Sequence, residues 1–281
     1  MIKFENTEVV GWEAAIRGMR NPMNSWEKSD SLWTTVPLDD NGHITVQKVG
    51  DYKKYQVGPN DLELMKKLRN AGTDHRKFMR MIVAYVDITA PLYWWKEFDT
   101  YKVGTVANSC STMHKIAEKR FEREDFSIEH LENCAYPKEG PNLNGETHWM
   151  VTMDNIISSM NVARQLYLGT GDKKYWWQMI QLLPSSYNQK RTVMLSYEVL
   201  ANIYKSRKNH KLDEWSLSEC GEYPVHPSFC DWIKLLPCSD LITGDEDEMF
   251  MAFANGKPVF GLDLSNDSNL SSNGIKLYKK N

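Results

Sequence analysis

The 281-residue sequence predicts a mixed α/β fold of the α+β kind, in which strands and helices alternate without a regular repeat. Three stretches predict it. Residues 81–86 are apolar and rich in β-branched and aromatic side chains, as in a buried strand. Residues 148–168 repeat apolar side chains at helical spacing. Residues 43–49 alternate between apolar and polar side chains, as a half-buried strand does.

The N-terminal region is predicted to add a strand and two helices. Residues 3–10 alternate weakly and predict a strand, and residues 11–19 place their apolar side chains on one helical face. Asn21-Pro22 ends this helix, because the residue before a proline disfavours helical angles. Asn60 is a good N-cap for a further helix over residues 61–70.

Residues 81–112 are predicted to form one wall of a binding site. The strand at 81–86 leads to Ala90-Pro91, which opens a helix over residues 91–102, since a proline costs nothing at a first helical position. Residues 104–112 are rich in hydroxyl and amide side chains and predict a polar loop. A buried strand, an aromatic helix and a polar loop together are typical of a ligand site.

The second half of the chain is predicted to be mainly helical. Five segments are interpreted as helices, at residues 115–123, 126–134, 148–168, 174–183 and 190–205. Asn255-Gly256 and Phe260-Gly261 predict a small hairpin. The polar residues 265–281 predict a mobile or weakly docked tail.

The composition predicts an ordinary soluble globular protein, with a hydrophobic fraction of 41% and a charged fraction of 25%. The net charge of −3 argues against a general electrostatic attraction to nucleic acid or membrane. Residues 1–15 lack the apolar region and the cleavage site of a signal peptide. No apolar run reaches the ~20 residues that span a bilayer, so we expect a cytoplasmic protein.

The five cysteines are odd in number and show no CxxC spacing, so we expect reduced thiols. A zinc site from Cys220, Cys230, Cys238 and His226 is the alternative. The gaps between these residues do not match the usual spacing of zinc ligands, and we expect no metal.

Common catalytic motifs are absent from the sequence, namely GxxxxGK[ST], GxGxxG, GxSxG and HExxH. Cys110, four residues before His114, is a candidate nucleophile. A single cysteine near a single histidine is more often an ordinary thiol.

Two basic segments are candidate anion-binding sites. In the first, His75, Arg76, Lys77 and Arg80 lie directly before the strand at 81–86, from which guanidinium groups can reach a phosphate. The alternative is a solvated surface turn. The second, residues 202–215, carries five basic side chains at the end of a predicted helix. Cations at that position also stabilise the helix macrodipole without binding any ligand.

The order of elements and several local strings resemble the flavin-dependent thymidylate synthases. In that family a strand leads into a helix that begins at Ala-Pro, as at Ala90-Pro91, and a later Leu-Pro precedes a helix with Asn, Arg and His. Here Leu183-Pro184 is followed by Asn202, Arg207 and His210, with His210 one residue short of the family spacing.

This resemblance covers residues 9–215. It implies a flavin-dependent thymidylate synthase-like fold, with a central antiparallel or mixed sheet and surrounding helices. It also implies a domain at residues 1–215, followed by a partly flexible C-terminal extension at residues 216–281.

The polar segment departs from the family pattern RHRxxSxNExSxRY. Thr100-Tyr101-Lys102 replaces RHR, so one cation remains, and Glu97 stands where the family has Gln. Losing two guanidinium groups removes charge-assisted hydrogen bonds worth about 1.5–3 kcal/mol each. We expect His75, Arg76 and Arg80 to restore part of that charge. Arg80 lies about where the family has a flavin-contacting His.

The resemblance implies methyl transfer from methylene-tetrahydrofolate to dUMP, giving dTMP, with FAD as cofactor and NADPH as reductant. Such an enzyme orients its ligands and uses no protein nucleophile. A homotetramer with sites between subunits is implied as well. The implied roles are catalysis for Arg207, Tyr101 and Glu97, flavin binding for Arg80, Lys102, Asn202, His210, His75 and Arg76, and pyrimidine-nucleotide binding for Arg207, Asn108, Ser111 and Cys110.

Two alternatives keep the same scaffold. The first is a non-catalytic nucleotide-binding protein that has lost flavin, which the altered RHR pattern favours. The second is a related pyrimidine hydroxymethylase or another one-carbon transfer to a pyrimidine. Flavin absorbance tests the first alternative, and product analysis tests the second.

Overall fold

The computed structural model describes residues 2–36, 52–137, 146–216 and 227–244, together with three short strands between residues 251 and 278. Within these residues the fold is mixed α/β, with antiparallel strand pairs and surrounding helices. The predicted fold class is therefore confirmed. The strand predicted at residues 43–49 lies outside the described residues.

Eleven strands are described. They are β1 Lys3–Val10, β2 Leu32–Val36, β3 Tyr52–Gln56, β4 Val83–Pro91, β5 Thr105–Ser109, β6 Ala135–Pro137, β7 Glu146–His148, β8 Asn188–Ser196, β9 Met251–Ala254, β10 Lys257–Pro258 and β11 Lys276–Tyr278. One sheet has the order β1-β4-β8-β5, so strands far apart in the sequence are neighbours. The others form an antiparallel sheet, β10-β9-β11, and two antiparallel pairs, β2-β3 and β6-β7.

The described residues also form nine α-helices. They are α1 Trp12–Arg20, α2 Pro59–Asn70, α3 Leu92–Phe98, α4 Thr112–Lys115, α5 Trp149–Thr170, α6 Lys173–Leu182, α7 Tyr197–Arg207, α8 Phe229–Lys234 and α9 Asp240–Thr243. A 3-10 segment, Arg76–Arg80, precedes β4. No helix in this part of the chain has both the length and the apolar character needed to cross a membrane.

The chain divides into two compact units. Unit 1 comprises residues 1–3, 88–100 and 108–192, and unit 2 comprises residues 4–87, 101–107 and 193–281. Strands β1, β4, β5 and β8 each contribute residues to both units. The domain boundary expected at residue 215 stays a prediction.

Unit 1 is built on the long helix α5, which the apolar period of residues 148–168 predicted. One face of this helix joins residues of the segment 116–126 and of α6 in a single apolar cluster. Its buried members are Ile116, Phe121, Phe126, Met153, Ile157, Met160, Ala163 and Met179. The α5 residues of the cluster recur every three or four positions, as a helix facing a core requires.

Unit 2 packs around aromatic side chains. Phe4 stacks on Trp232 with ring centroids 5.2 Å apart, and Trp12 meets Tyr197 edge-on at 5.4 Å. Trp232 also donates from Nε1 to the Thr7 hydroxyl at 3.1 Å. Aromatic pairs of this kind contribute roughly 0.5–1.5 kcal/mol each beyond the area they bury. Through Trp232, helix α8 belongs to the core of unit 2.

Helix α1 begins directly after a glycine that the fold requires. Gly11 has a φ of 92°, and a Cβ at this position would lie 2.0 Å from the carbonyl oxygen of Met81. Only glycine adopts this backbone angle readily and leaves space for the carbonyl. The helix buries Trp12, Ala15 and Ile16, which confirms the apolar face predicted for residues 11–19.

A buried ion pair joins α1 to α2. Arg20 is 4% exposed and Asp61 is fully buried, and Arg20 Nε donates to Asp61 Oδ1 at 2.7 Å. Asp61 Oδ2 also accepts from the hydroxyls of Ser29 and Ser31. Burial by itself raises the pKa of Asp61, but the hydrogen bonds from Ser31, Ser29 and Arg20 outweigh burial, and the pKa is lowered. Such complete hydrogen bonding is what makes a buried ion pair tolerable.

The helix predicted over residues 190–205 is wrong in its first half. Strand β8 runs to Ser196, and α7 begins at Tyr197. Val193 and Leu195 are buried while Met194 is less so, which is the two-residue period of a strand. The Ser196 hydroxyl accepts from the backbone N–H of Val199 and caps the new helix.

Three other predicted elements are also wrong. The polar loop at residues 104–112 contains β5, whose first residues are β-branched. Residues 115–123 and 126–134 are not helices, because α4 ends at Lys115 and a 3-10 turn, Arg123–Asp125, follows. The Asn161 side chain accepts from the N–H of Phe121 and donates to its carbonyl, so a tertiary contact replaces the helical bonds at this point.

Strands β9 and β10 are antiparallel, with Lys257 opposite Ala254, whereas the predicted turn residues Asn255-Gly256 between them lie outside the described residues. Strand β11 lies beside β9 and falls within the segment predicted as a mobile tail. The other turn signal of this region, Phe260-Gly261, lies outside the described residues.

Candidate functional site

The predicted site residues fall in both compact units. The members in unit 2 are His75, Arg76, Arg80, Tyr101, Lys102, Asn202, Arg207 and His210. The members in unit 1 are Glu97, Asn108, Cys110 and Ser111.

In unit 2, two predicted flavin-binding arginines share one carboxylate. Arg76 Nε donates to Glu198 Oε1 at 3.3 Å, and Arg80 Nε donates to the other oxygen, Oε2. Arg80 Nη2 also donates to Oε1 at 3.3 Å. Two guanidinium groups and one carboxylate leave one net positive charge on this face of α7. Charge-assisted bonds of this kind are among the strongest that side chains make.

Asn202 lies one helical turn after Glu198 on α7. Arg76 reaches it as well, with Nη2 donating to Oδ1 at 3.5 Å. Arg76 and Asn202 both line a cavity of about 150 Å³ in unit 2, which we call the basic pocket. Its lining residues are Arg69, Arg76, Ala201, Asn202, Tyr204, Lys205, Lys208, Ile242 and Thr243.

Sequence reasoning missed most of the basic pocket. Arg69 lies in the last turn of α2, and Thr243 is the last residue of α9. Lys205 and Lys208 belong to the basic segment at the end of α7. Stabilisation of the helix macrodipole also explains cations at this position. An arginine in a last helical turn is equally ordinary, so Arg69 carried no signal. Only the fold brings residues so far apart in the sequence to one cavity.

Arg207 lies at the end of α7 in a polar and aromatic group that we call the Arg207 cluster: Arg207, Tyr101, His210 and Trp215. Arg207 Nε donates to the Tyr101 hydroxyl at 2.8 Å, and its guanidinium carbon lies 4.9 Å from the Trp215 ring centre. Nη1 lies 2.7 Å from Nε2 of His210. Three predicted site residues are therefore together, and sequence reasoning missed Trp215 as the fourth. Stacking and hydrogen bonding hold the guanidinium in one orientation.

The ring of His210 is oriented by the backbone. The N–H of Leu212 donates to His210 Nδ1 at 3.1 Å. The other ring nitrogen, Nε2, lies against the Arg207 guanidinium. The ring therefore joins the end of α7 to the backbone that follows this helix.

Lys102 and His75 are exposed on unit 2. Lys102 directly follows Tyr101 in the chain, and His75 directly precedes the segment Arg76–Arg80. Both positions are next to residues of the two groups just described. Their roles stay predictions.

In unit 1, Asn108 and Cys110 are exposed, in β5 and directly after it. The backbone carbonyl of Cys110 accepts from Gln189 Nε2 at 2.9 Å. Ser111 is exposed, and its hydroxyl accepts from the backbone N–H of His114 at 3.1 Å, capping α4. This bond gives Ser111 a structural role that needs no ligand.

Arg191 in unit 1 is a mostly buried cation that sequence reasoning missed. Its guanidinium lies 4.2 Å above the Trp95 ring and donates from Nη1 to Asp99 Oδ1 at 2.8 Å. Its Nε donates to Gln189 Oε1 at 3.0 Å. Glu97, a predicted catalytic residue, lies on α3 between Trp95 and Asp99. The sequence analysis assigned Arg191 to a helix over residues 190–205, whereas it lies in strand β8. A correct strand prediction was the signal that could have identified Arg191.

A wider groove of about 570 Å³ lies in unit 1 between residues 120–124 and α5. Arg123 is paired with Asp154 through two hydrogen bonds, and Arg164 donates to the carbonyls of Ala117 and Glu118. The lining of the groove also contains the carboxylates of Glu122, Glu124 and Asp154, so it lacks the one-sided charge of the basic pocket. No predicted site residue lines it.

Thiol labelling should separate Cys110 from Cys230. Cys110 is exposed, whereas Cys230 is fully buried, and burial raises the pKa of its thiol to about 12. At pH 8 only roughly one such thiol in ten thousand is ionised, and the thiolate is the reactive form. We expect iodoacetamide to label Cys110 in the folded protein and Cys230 only after unfolding, as read by peptide mass spectrometry. Cys134, also exposed, is the internal control, and labelling of Cys230 at its rate would contradict the prediction.

No protein-family model matches the sequence, and no curated protein matches it significantly. Among solved structures, thymidylate synthase X (ThyX) from Helicobacter pylori with FAD and dUMP matches with a TM-score of 0.52 at 12% identity. The match covers 87% of this chain and 98% of that chain. Another structure of flavin-dependent thymidylate synthase ThyX from Helicobacter pylori, complexed with FAD and dUMP, gives a TM-score of 0.51 at 13% identity, covering 86% and 98%. The fold implied by the sequence resemblance is confirmed.

Proposed function

We propose that this chain is a flavin-dependent enzyme that methylates dUMP to dTMP, with methylene-tetrahydrofolate as the one-carbon donor and NADPH as the reductant. A fold alone does not carry an activity. The observation that supports the proposal is the gathering of predicted site residues in unit 2. Arg76 and Asn202 line the basic pocket, and Arg207, Tyr101 and His210 form the Arg207 cluster.

The positively charged side chains of unit 2 complement the negative charge of a flavin dinucleotide. FAD carries a diphosphate, and guanidinium and ammonium groups make strong charge-assisted bonds with phosphate oxygens. Arg76 and Lys205 offer such groups beside the amide of Asn202. The residues proposed to hold FAD are His75, Arg76, Arg80, Lys102, Asn202 and His210.

Arg207 is proposed to bind the phosphate or the base of dUMP. Because Tyr101 and Trp215 already orient its guanidinium, little side-chain entropy is lost on binding. Tyr101 accepts from Arg207 and keeps its own O–H proton to donate to a ligand. When bound and reduced, the flavin supplies the hydride that completes the methyl group. The protein binds and orients the reactants.

The proposed roles in unit 1 rest on the family resemblance. Glu97 is assigned to catalysis, and Asn108, Cys110 and Ser111 are assigned to nucleotide binding. The same resemblance supports a homotetramer and a cytoplasmic location as parts of this proposal. A monomer in light scattering, at the chain mass of 32.6 kDa, would argue against the tetramer.

We expect the purified chain to bind FAD, with visible flavin absorbance, and Arg76→Gln to weaken FAD binding at least about tenfold. A charge-assisted bond is worth about 1.5–3 kcal/mol, and 1.4 kcal/mol is a factor of ten in affinity. Lys77→Gln, an exposed cation of the same 3-10 segment, is the matched control. A colourless protein that also fails to take up added FAD would contradict the proposal.

Product analysis then tests the reaction itself. With dUMP, methylene-tetrahydrofolate and NADPH, the FAD-loaded protein should form a product heavier than dUMP by one methylene unit. A product heavier by an added hydroxymethyl group would point instead to the related hydroxymethylase.

A non-catalytic nucleotide-binding protein is the second candidate, and Glu198 favours it. Its carboxylate already binds both Arg76 and Arg80, and a flavin diphosphate would have to share these cations. Calorimetric titration with dUMP, with and without FAD, separates the two candidates. Binding of dUMP by protein that refuses FAD supports the second candidate, and binding of dUMP only after FAD supports the enzyme.

A further inference from the structure

We infer that the C-terminal segment, through α9, completes a phosphate-binding site in the basic pocket. The proposed function assigns no role to residues 227–244, so the inference goes beyond it. The pocket shares Arg76 and Asn202 with the proposed flavin site. Its further polar members, Arg69, Lys205 and Thr243 among them, come from α2, α7 and α9.

Three contacts hold α9 at the wall of the pocket. Lys66 Nζ lies 2.5 Å from Asp240 Oδ2, and Arg69 Nε donates to the carbonyl of Leu241 at 3.3 Å. Tyr197 donates from its hydroxyl, at 2.6 Å, to a backbone carbonyl three residues before α9. These contacts join α9 to α2 and α7, which also carry cations of the pocket. Packed secondary structure therefore sets the shape of the pocket.

A glycine lets Arg69 come close to the end of α9. Gly244 has a φ of 72°, and a Cβ on it would lie 2.0 Å from Nη2 of Arg69. The positive φ is common for a glycine after a helix and needs no ligand to explain it. The close approach is a separate feature, because any larger residue would displace the guanidinium from its present position.

Among the described residues, the cations that line the basic pocket outnumber the carboxylates bonded to them. Its cations are Arg69, Arg76, Lys205 and Lys208, and no described carboxylate lines it. Glu198, bonded to Arg76, offsets one of them. The C-terminal ends of α2 and α7 contribute roughly half a negative charge each, which is less than the charge of the lining cations. A phosphate group is negative at neutral pH and therefore has the charge that such a lining favours.

The volume of the basic pocket limits which ligands fit inside it. Pockets for drug-sized ligands measure about 300–1,000 Å³. At about 150 Å³, the basic pocket suits a phosphate or diphosphate group, with the rest of a nucleotide outside it. The Asn202 amide and the Thr243 hydroxyl provide neutral donors beside the cations.

Titration of the full chain with inorganic pyrophosphate tests the inference, at low ionic strength because salt screens such charges. We expect the double variant Lys205→Gln and Lys208→Gln to bind pyrophosphate at least about tenfold more weakly. Lys67→Gln with Lys211→Gln is the matched control, because both lysines are exposed and neither lines the pocket. An equal loss of pyrophosphate affinity in both double variants would mean that the lysines act only through general electrostatic attraction, and it would overturn the inference.

The variant Thr243→Val tests the role of the C-terminal segment, because it removes the hydroxyl of Thr243 but keeps the shape of the side chain. A neutral hydrogen bond is worth about 0.5–1.5 kcal/mol, so we expect about 2- to 10-fold weaker binding. Unchanged affinity would overturn the part played by α9. Circular dichroism of every variant confirms that a loss of binding is not a loss of folding.

Residues 245–248, Asp-Glu-Asp-Glu, directly follow Gly244 in the sequence. A second background, with Asp245→Asn, Glu246→Gln, Asp247→Asn and Glu248→Gln, removes their charge. Binding of pyrophosphate in either background supports the site, and binding in neither overturns it.

Parallel titrations with FAD and dUMP show which ligand brings the phosphate. Pyrophosphate binding by protein that takes up no FAD supports the pocket and contradicts the flavin proposal. Normal FAD and dUMP binding in the Lys205→Gln and Lys208→Gln variant, with pyrophosphate binding also unchanged, overturns the pocket and leaves the proposed function in place.

Discussion

We expect Asp61→Asn to lower the free energy of unfolding by about 3–5 kcal/mol, because the Arg20 guanidinium is then buried without a counter-charge. Asp61 is fully buried, and its carboxylate accepts from Arg20 and from the hydroxyls of Ser29 and Ser31. The amide of Asn has nearly the same shape but directs two N–H donors at groups that are themselves donors. Urea unfolding followed by circular dichroism measures the change.

Glu63→Gln, on the same helix, is the matched control for Asp61→Asn. Glu63 and Lys67 form an exposed ion pair one turn apart, and such pairs contribute little to stability. We expect the urea midpoint of this variant to stay close to that of the parent chain. Equal losses of stability in both variants would show that the buried ion pair contributes no more to stability than the exposed one.

The pH dependence of stability should follow the same carboxylate. Burial opposes ionisation of Asp61, but the hydrogen bonds from Ser31, Ser29 and Arg20 outweigh it and lower its pKa in the folded state. The unfolded chain therefore binds this proton more tightly than the folded chain does. The stabilisation is present above the unfolded pKa of about 4 and is lost as the pH falls through the folded pKa. The Asp61→Asn variant should accordingly lose less stability than the parent in acid.

If Arg207 binds dUMP as proposed, we expect Arg207→Lys to raise the dissociation constant for dUMP by about 10- to 100-fold. Lys keeps the charge, but it cannot reproduce the bond from Nε to Tyr101 or the stacking on Trp215. Calorimetry with the FAD-loaded protein measures the affinity. A rise in KM larger than the fall in kcat would mark a loss of nucleotide binding rather than of the chemical step.

Lys211→Gln is the control for Arg207→Lys, because Lys211 is exposed and follows α7 by a few residues. We expect it to bind dUMP as the parent chain does. Thermal unfolding of both variants separates a binding effect from the loss of packing against Trp215. Unchanged dUMP affinity in a folded Arg207→Lys variant would exclude the proposed role of Arg207.

The parts of the fold that sequence predicted are those with one consistent local signal. Residues 3–10 and the helices α1, α2, α5 and α6 each show a single period or a clear end signal. The junction of β8 and α7 does not. Val193 and Met194 fit a helical period with the apolar residues of α7, although both lie in the strand. Periodicity reports which side chains face a core, and it does not report where backbone hydrogen bonds are made.

The candidate site was predictable where single residues matched a known pattern, and not where it depends on distant contacts. Arg76, Asn202 and Arg207 were named from the sequence. Glu198 binds Arg80 across 118 positions, and Arg69 reaches the carbonyl of Leu241 across 172. Such pairs leave no mark on local spacing, since either residue alone looks like an ordinary charged side chain on a helix.

The direct passage from β8 into α7 limits how this chain can change. No residue separates Ser196 from Tyr197, and the N–H of Tyr197 donates to the carbonyl of Ile82 at 2.9 Å. One inserted residue here would turn α7 by about 100° about its axis. Glu198 and Asn202 would then leave the side of the helix that faces Arg76. Side chains on α7 can be exchanged without turning the helix, whereas a change of length at this junction would separate Arg76 from both of its partners on α7.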